Sequence, residues 1–164
     1  MSVRILGGQR ELHAKHLWLL QLTGFDDTNF QKCSELSTEN AEITYPEGGS
    51  SIPWKMPGKQ TFADVTLERG TSSDAAFYQW AVLTSNAAIK GAGATSRGSG
   101  AVAGTWTRHG TLYQLDRDGV SRLRGWTIKN AWVKKFVAGD WDATADEVVI
   151  ESLTLAMDWF ELEV

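Results

Sequence analysis

FQKCSELSTENAEITYPEGGSSIPWKMPGKQTFADVTLERGT, residues 30–71, is the stretch from which the fold is read. An apolar-polar strand runs into Tyr45-Pro46-Glu47-Gly48-Gly49. An irregular excursion then passes Pro53 and Pro57-Gly58, and a second strand ends at Arg69-Gly70-Thr71. Hairpins in compact domains prefer loops of about 2–5 residues, and far more chain than that separates these strands. Residues 46–60 therefore read as a projecting arm, stiffened by proline, that carries Trp54 and Met56 toward a neighbouring molecule.

Outward from the arm, the apolar pattern is mostly that of strands. Residues 17–25 read as a strand closed by Gly24. Further strands fall at 30–36 and 41–45, separated by Ser37-Thr38-Glu39-Asn40. From 61 to 68, Ala63, Val65 and Leu67 alternate with Asp64, Thr66 and Glu68, the period of a half-buried strand. The period then changes. Over 73–88, Ala76, Trp80, Leu83 and Ala87 fall on one helical stripe, widened by Phe77, Ala81 and Thr84. Thr71 with Asp74 has capping-box spacing, with Ser72 and Ser73 as rival caps, and Gly91 is placed to end the helix.

Residues 90–105, rich in Gly, Ala and Ser, read as a flexible loop. Their GAGATSRGSG follows a helix and precedes a strand, the reverse of the strand-loop-helix order of a phosphate cradle. Strands are expected at 106–116 and 121–137 around the turn Asp118-Gly119. The alternation changes phase near Gly125, where a bulge is expected. Residues 147–160 read as one long final strand, apolar on both sides over its first half and so covered on both faces. The fold class is mainly β, an antiparallel β-sandwich or barrel with one flanking α-helix. Residues 1–164 form a single domain with an N-terminal extension at 1–16.

The composition narrows the function. A chain of 164 residues hides roughly 70% of its unfolded surface and needs neither disulfide nor metal. The single cysteine, Cys33, excludes an intrachain disulfide and fits folding in a reducing cytoplasm. It reads as a small hydrophobe in a strand. A net charge of −4 disfavours a nucleic-acid-binding surface. Arg122, Arg124, Lys129, Lys134 and Lys135 are interrupted by apolar residues and read as a solvated strand face. No secretory or membrane-spanning run is visible, so no membrane anchor is expected. Eight tryptophans raise the odds of a subunit interface or of a sugar-binding face. Trp80 reads as core, Trp126 and Trp132 as sharing one strand face, and Trp54 and Trp159 as interface residues.

Catalysis finds little footing. His13 and His16 lack a third ligand, and His109 belongs to no nucleophile motif. Asp26/Asp27, Asp140/Asp142 and Asp146/Glu147 sit in turn-like segments. The chain is expected to be no enzyme and to hold no cofactor or metal. Two binding classes remain: a self-assembling structural subunit, and a monomeric Trp-rich β-sandwich that binds carbohydrate.

Six segments in order resemble a known family: Glu35-Leu36-Ser37, Tyr45-Pro46-Glu47-Gly48-Gly49, Lys55-Met56-Pro57-Gly58, Val65-Thr66-Leu67-Glu68-Arg69-Gly70, Trp126-Thr127-Ile128-Lys129-Asn130-Ala131-Trp132, and the run from Glu147 to Leu155. Over residues 17–160 the chain resembles the tail-tube proteins of contractile phage tails and phage-like injection systems, relatives of the Hcp secretion tube. The resemblance implies an Hcp-like protomer that joins sheet edges into hexameric rings stacked as a tube. It implies sheath, baseplate or initiator, and tube-terminator proteins as partners, and DNA or effector protein passing through the lumen without specific binding. The place implied is the tail tube of a virion or an injection particle, made in the bacterial cytoplasm. The expected ring interface comprises Tyr45, Pro46, Glu47, Gly48, Gly49, Trp54, Met56, Pro57, Gly58 and Trp159.

Overall fold

The computed structural model describes residues 13–25, 30–90 and 106–163. Among these, the strands are β1 (Trp18–Leu22), β2 (Lys32–Cys33), β3 (Thr38–Tyr45), β4 (Trp54–Phe62), β5 (Val65–Gly70), β6 (Arg108–Leu115), β7 (Arg122–Val137), β8 (Ile150–Ala156) and β9 (Trp159–Glu163). The helix is α1 (Ala76–Lys90). Every strand pairing is antiparallel. The mainly β architecture with one helix agrees with the sequence. Most of the expected flexible loop, at 91–105, and most of the N-terminal extension, at 1–12, lie outside the described residues.

Two sheets share β7. Its first half lies between β6 and β9, with β1 beyond β6. Its second half pairs with β8, followed by β5 and β2. The strand changes sheets at Asn130, whose φ is +52°. Pairing there passes from Gly110↔Ile128 to Arg108↔Ala131, so β7 holds one extra residue. Asn accepts such a backbone more readily than most side chains, and bulges let a strand turn a corner between sheets. His109 Nδ1 accepts the Asn130 N–H at 3.1 Å, and Asn130 Nδ2 donates to Asp158 Oδ2 at 2.9 Å. Burial, helped by the Lys129 charge, holds His109 below its ordinary pKa, which suits an accepting Nδ1.

The bulge expected near Gly125 is present just before it, where pairing passes from Gln114↔Arg124 to Leu115↔Arg122, and the corner beside Asn130 holds another. Gly125 itself is needed for close approach. A Cβ there would sit 2.8 Å from Glu163 Oε2 and 3.1 Å from the Tyr113 ring. The extra residue also puts Trp126 and Trp132 on opposite faces. Trp126 keeps the side of buried Ile128, whereas Trp132 lies between core-facing Ala131 and Val133.

Other strand boundaries differ from those the pattern implied. The final segment breaks at Met157-Asp158, where the Asp158 N–H bonds Lys129 O and the chain passes from the second sheet to the first. No residue of β8 is exposed, as expected for a strand covered on both faces. The expected strand over 61–68 is interrupted at Ala63-Asp64: its start belongs to β4, and β5 begins at Val65. Only Lys32 and Cys33 of 30–36 are in a ladder, and β3 begins at Thr38, ahead of the expected 41.

Leu20, Leu22, Val65, Leu67, Phe77, Trp80, Ile128, Leu153 and Leu155 form the core. Each contributes about 1.5–3 kcal/mol through burial. Phe77 and Trp80 carry the expected helical stripe into it, and Trp80 Nε1 donates to Trp106 O at 2.9 Å. The helix starts at Ala76, later than 73, because Asp74 caps it: Asp74 Oδ1 accepts the Ala76 N–H at 2.9 Å. Thr71, the expected cap, bonds Val149 O instead. The Ala76 N–H, and after it Arg69, holds the Asp74 carboxyl below the usual carboxylate range. Arg69 is buried. Its guanidinium lies 3.6 Å over the Phe77 ring, pairs with Glu151, and reaches Asp74 at 3.1 Å. This cluster ties β5, β8 and the start of α1 together.

Candidate functional site

The arm is not an irregular excursion. β3 and β4 form a two-stranded ribbon with Tyr45 opposite Trp54, Thr44 opposite Lys55 and Ile43 opposite Met56. The turn is residues 46–53. Ser50 N–H bonds Glu47 O at 3.1 Å, and Gly49 supplies a φ of +86°. Below it, β4 carries an extra residue: Glu42 faces Pro57, but Asn40 faces Gln60. Pro57, which has no N–H to give a ladder, fits beside such a bulge. Gly58 lets the strands approach, since a Cβ there would lie 3.0 Å from both Ala41 O and Ile43 Cγ1. At the root, Phe62 meets Phe160 of β9 edge-on at 5.3 Å.

Cross-strand partners share a face, so the ribbon has two unlike sides. Ile43, Tyr45, Trp54 and Met56 make one side, and their exposures are 49%, 61%, 65% and 49%. Ile52 in the turn is 75% exposed. The other side is polar: Lys55 Nζ lies 3.0 Å from Glu42 Oε1, to which Thr44 Oγ1 donates at 3.2 Å. Trp54 Nε1 donates to Glu47 Oε2 at 3.0 Å, which fixes the indole and satisfies its one polar atom. A two-stranded hairpin is marginal by itself in water, and this one has an apolar face that its own chain leaves open.

Of the expected site residues, Tyr45, Glu47, Trp54 and Met56 converge on that side of the ribbon or on its turn. Pro46, Gly48 and Gly49 shape the turn, and Pro57 and Gly58 the bulge. Trp159 stands apart, 42% exposed on β9 opposite Lys129. Ile43 and Ile52, also exposed on the ribbon, are not among the expected residues. Two-residue spacing from Tyr45 marks Ile43 once the ribbon is recognised; Ile52, in the turn, has no such mark.

Among the described residues, β1 pairs only with β6, β9 only with β7, and β2 only with β5. The first sheet therefore has two open edges. Across its outer face runs a polar row of Gln21, Thr111, Thr127 and Glu161, and Glu161 lies 3.4 Å from Lys129. Between β1 and β2 lies a cleft of about 640 Å³, lined in part by Trp18, Phe30, Cys33 and Trp126. Burial pushes the Cys33 thiol up to about 11, away from reactive thiolate chemistry.

The remaining polar groups do local work. Asp142 bonds the N–H and hydroxyl of Thr144, the backbone bond foremost in holding its carboxyl low, and Asp118 bonds Val120 and Ser121 around the expected turn at Gly119. Asp26 and Asp27 lie outside the described residues. No group of three His, Cys, Asp or Glu side chains among the described residues is placed to hold a metal. No described helix is long and apolar enough to cross a membrane.

A sandwich whose described strands leave open sheet edges, with a projecting ribbon that is apolar on one side, has the form of a subunit built to join others. The family model for the T4-like virus tail tube protein gp19 matches residues 15–161, and the chain belongs to that family. It is a structural tail tube protein. Solved structures of the same fold include the tube terminating cap of the anti-feeding prophage (AFP), at 20% identity over 94% of this chain and 92% of that one, TM-score 0.73. The PVC sheath-tube complex of an extracellular contractile injection system matches at 18% over 99% and 98%, TM-score 0.73. Hcp1 from Flavobacterium johnsoniae matches at 14% over 89% and 94%, TM-score 0.53. No curated protein matches by sequence.

Proposed function

We propose that this chain is the repeating subunit of the inner tube of a contractile tail or injection particle. Six copies close a ring by pairing the open edge of β1 in one with that of β9 in the next, and Trp159 lies at that seam. Closing a ring removes the edges that would otherwise recruit strands indiscriminately. Rings stack through the ribbon, where Ile43, Tyr45, Trp54 and Met56 become buried between copies. The polar outer face of the first sheet lines the channel. Its cations are engaged within the chain, Lys129 with Glu161 and Arg122 with Gln21 and the Tyr113 ring, so DNA or an effector protein slides past without being held.

The work is mechanical. A surrounding sheath contracts and drives the stiff tube through a target envelope. Sheath, baseplate and terminator proteins are the expected partners, in keeping with the particles in which tubes of this fold are found. The particle is where the chain acts, after synthesis in the bacterial cytoplasm.

The observation that carries this reading is the ribbon's exposed apolar side, which a self-sufficient domain would not keep. Purified protein should form rings or tubes as concentration rises, alone or with an initiator or sheath protein added, seen by negative-stain microscopy. A monomer that persists at high concentration with those partners present would overturn the reading.

A further inference from the structure

The ribbon needs a receiving surface, and the chain offers one with matching chemistry. The cleft between β1 and β2 has aromatic walls in Trp18, Phe30 and Trp126, and Leu112 in its lining. Lys15 and Lys32 also line it, and none of its described lining residues carries a carboxylate. On a chain of net charge −4, that favours an occupant that pairs apolar bulk with negative charge. Lys32 holds Glu68 of its own chain at 3.2 Å, but that pair is exposed and contributes little, so a second carboxylate can share it.

The ribbon presents that combination. Its Trp54 indole is bonded to the Glu47 carboxylate, with Tyr45 directly opposite and Met56 next along the same side. The cleft's volume of about 640 Å³ lies within the roughly 300–1,000 Å³ of ordinary binding pockets. It takes an anchor of one or two large side chains, not a whole domain. Ribbon and cleft are different surfaces of one chain, so their union is head-to-tail and passes from copy to copy.

We propose that the ribbon of one copy seats Trp54 and Met56 in the cleft between β1 and β2 of another, with Glu47 turned toward Lys15 and Lys32. This rests on the tube reading and names the receiving surface within it. Among the described residues, β1 and β2 each present an unpaired strand edge beside the cleft. Docking covers Trp18 and Trp126 and, in the same step, the side of the ribbon that water now touches.

The native Cys33 in the cleft provides the test, since it is the chain's only cysteine. Met56→Cys adds a second thiol on the apolar side of the ribbon, and Lys55→Cys adds one on the polar side. Both positions are exposed, so folding should tolerate either change. Each variant is assembled, then treated with a short bis-maleimide in mildly alkaline buffer, because burial holds Cys33 largely protonated. Covalent multimers are read on a denaturing gel, with wild type as background. Held thiols react at a high effective concentration, so Met56→Cys should exceed Lys55→Cys by about tenfold. Loss of Cys33 to a monofunctional maleimide under the same conditions shows that it reacts; tubes in which it reacts and the two variants cross-link alike, or not at all, overturn the inference while leaving the tube reading intact. A wild-type control without rings or tubes overturns both.

Discussion

Trp80 and Trp54 are the same residue in opposite surroundings. Each indole N–H is satisfied, Trp80 on Trp106 O and Trp54 on Glu47. Trp80 is completely buried in its own chain, and Trp54 is 65% exposed. The ion pairs repeat the contrast: Arg69–Glu151 is buried beneath the helix start, and Lys55–Glu42 stands in solvent on the ribbon. The core of the sandwich finishes its contacts within one copy. The ribbon orders its polar atoms just as carefully and leaves its apolar ones uncovered. Satisfied polar groups beside unburied apolar groups are what a surface needs if it is to be stable before assembly and dry after it.

The largest expected effect sharpens the first half of this contrast. Trp80→Ala should destabilise the protomer by about 3–5 kcal/mol, read as a shifted midpoint in denaturant unfolding of unassembled protein. Trp54→Ala should behave in the opposite way. Protomer stability should stay within about 0.5 kcal/mol of wild type, while assembly weakens by about 2 kcal/mol or more, as interface hot spots do. If Trp54→Ala lowered the melting midpoint and rings persisted, the contrast would be broken.

The helix start gives a smaller effect. Asp74→Ala should cost about 1 kcal/mol as a lost cap. The Asp74 pKa is lowered in the folded state, so its contribution is present above the ordinary carboxylate value. It fades as pH falls through the lowered folded value. The difference between wild type and Asp74→Ala should therefore shrink at strongly acid pH and be constant near neutrality, as thermal melts over a pH series would show. Smallest of all, Lys55→Ala should change protomer stability by about 0–1 kcal/mol and leave assembly nearly untouched, because it lies on the ribbon's polar side.

The sequence told most where one periodicity ran without interruption. The stripe through Trp80, the alternation of Val65 and Leu67, and the turn at Asp118-Gly119 all follow from side-chain spacing alone. It told least where the chain changes sheets. Asn130 and Met157-Asp158 redirect strands through backbone geometry and partners remote in sequence, such as His109, and alternation read along a single segment carries no trace of those. The ribbon was half legible. Its Pro and Gly residues announced a projection but disguised a ladder, because Pro57 and Gly58 sit at a bulge that strand propensity alone reads as a break. Ile43 is absent from the expected residues for that reason, while Trp54 and Met56 stand out by size. Arg69 and Glu151 illustrate the same limit: nothing local says that a charged pair will be buried.

The central claim is that only further copies of this chain complete its surface. A cryo-EM map of assembled tubes tests it most directly. In the proposed assembly such a map shows Ile43, Tyr45, Trp54 and Met56 buried against other copies and both β1 and β9 paired across subunits. Tubes in which the ribbon stands in solvent and those edges remain single would contradict it.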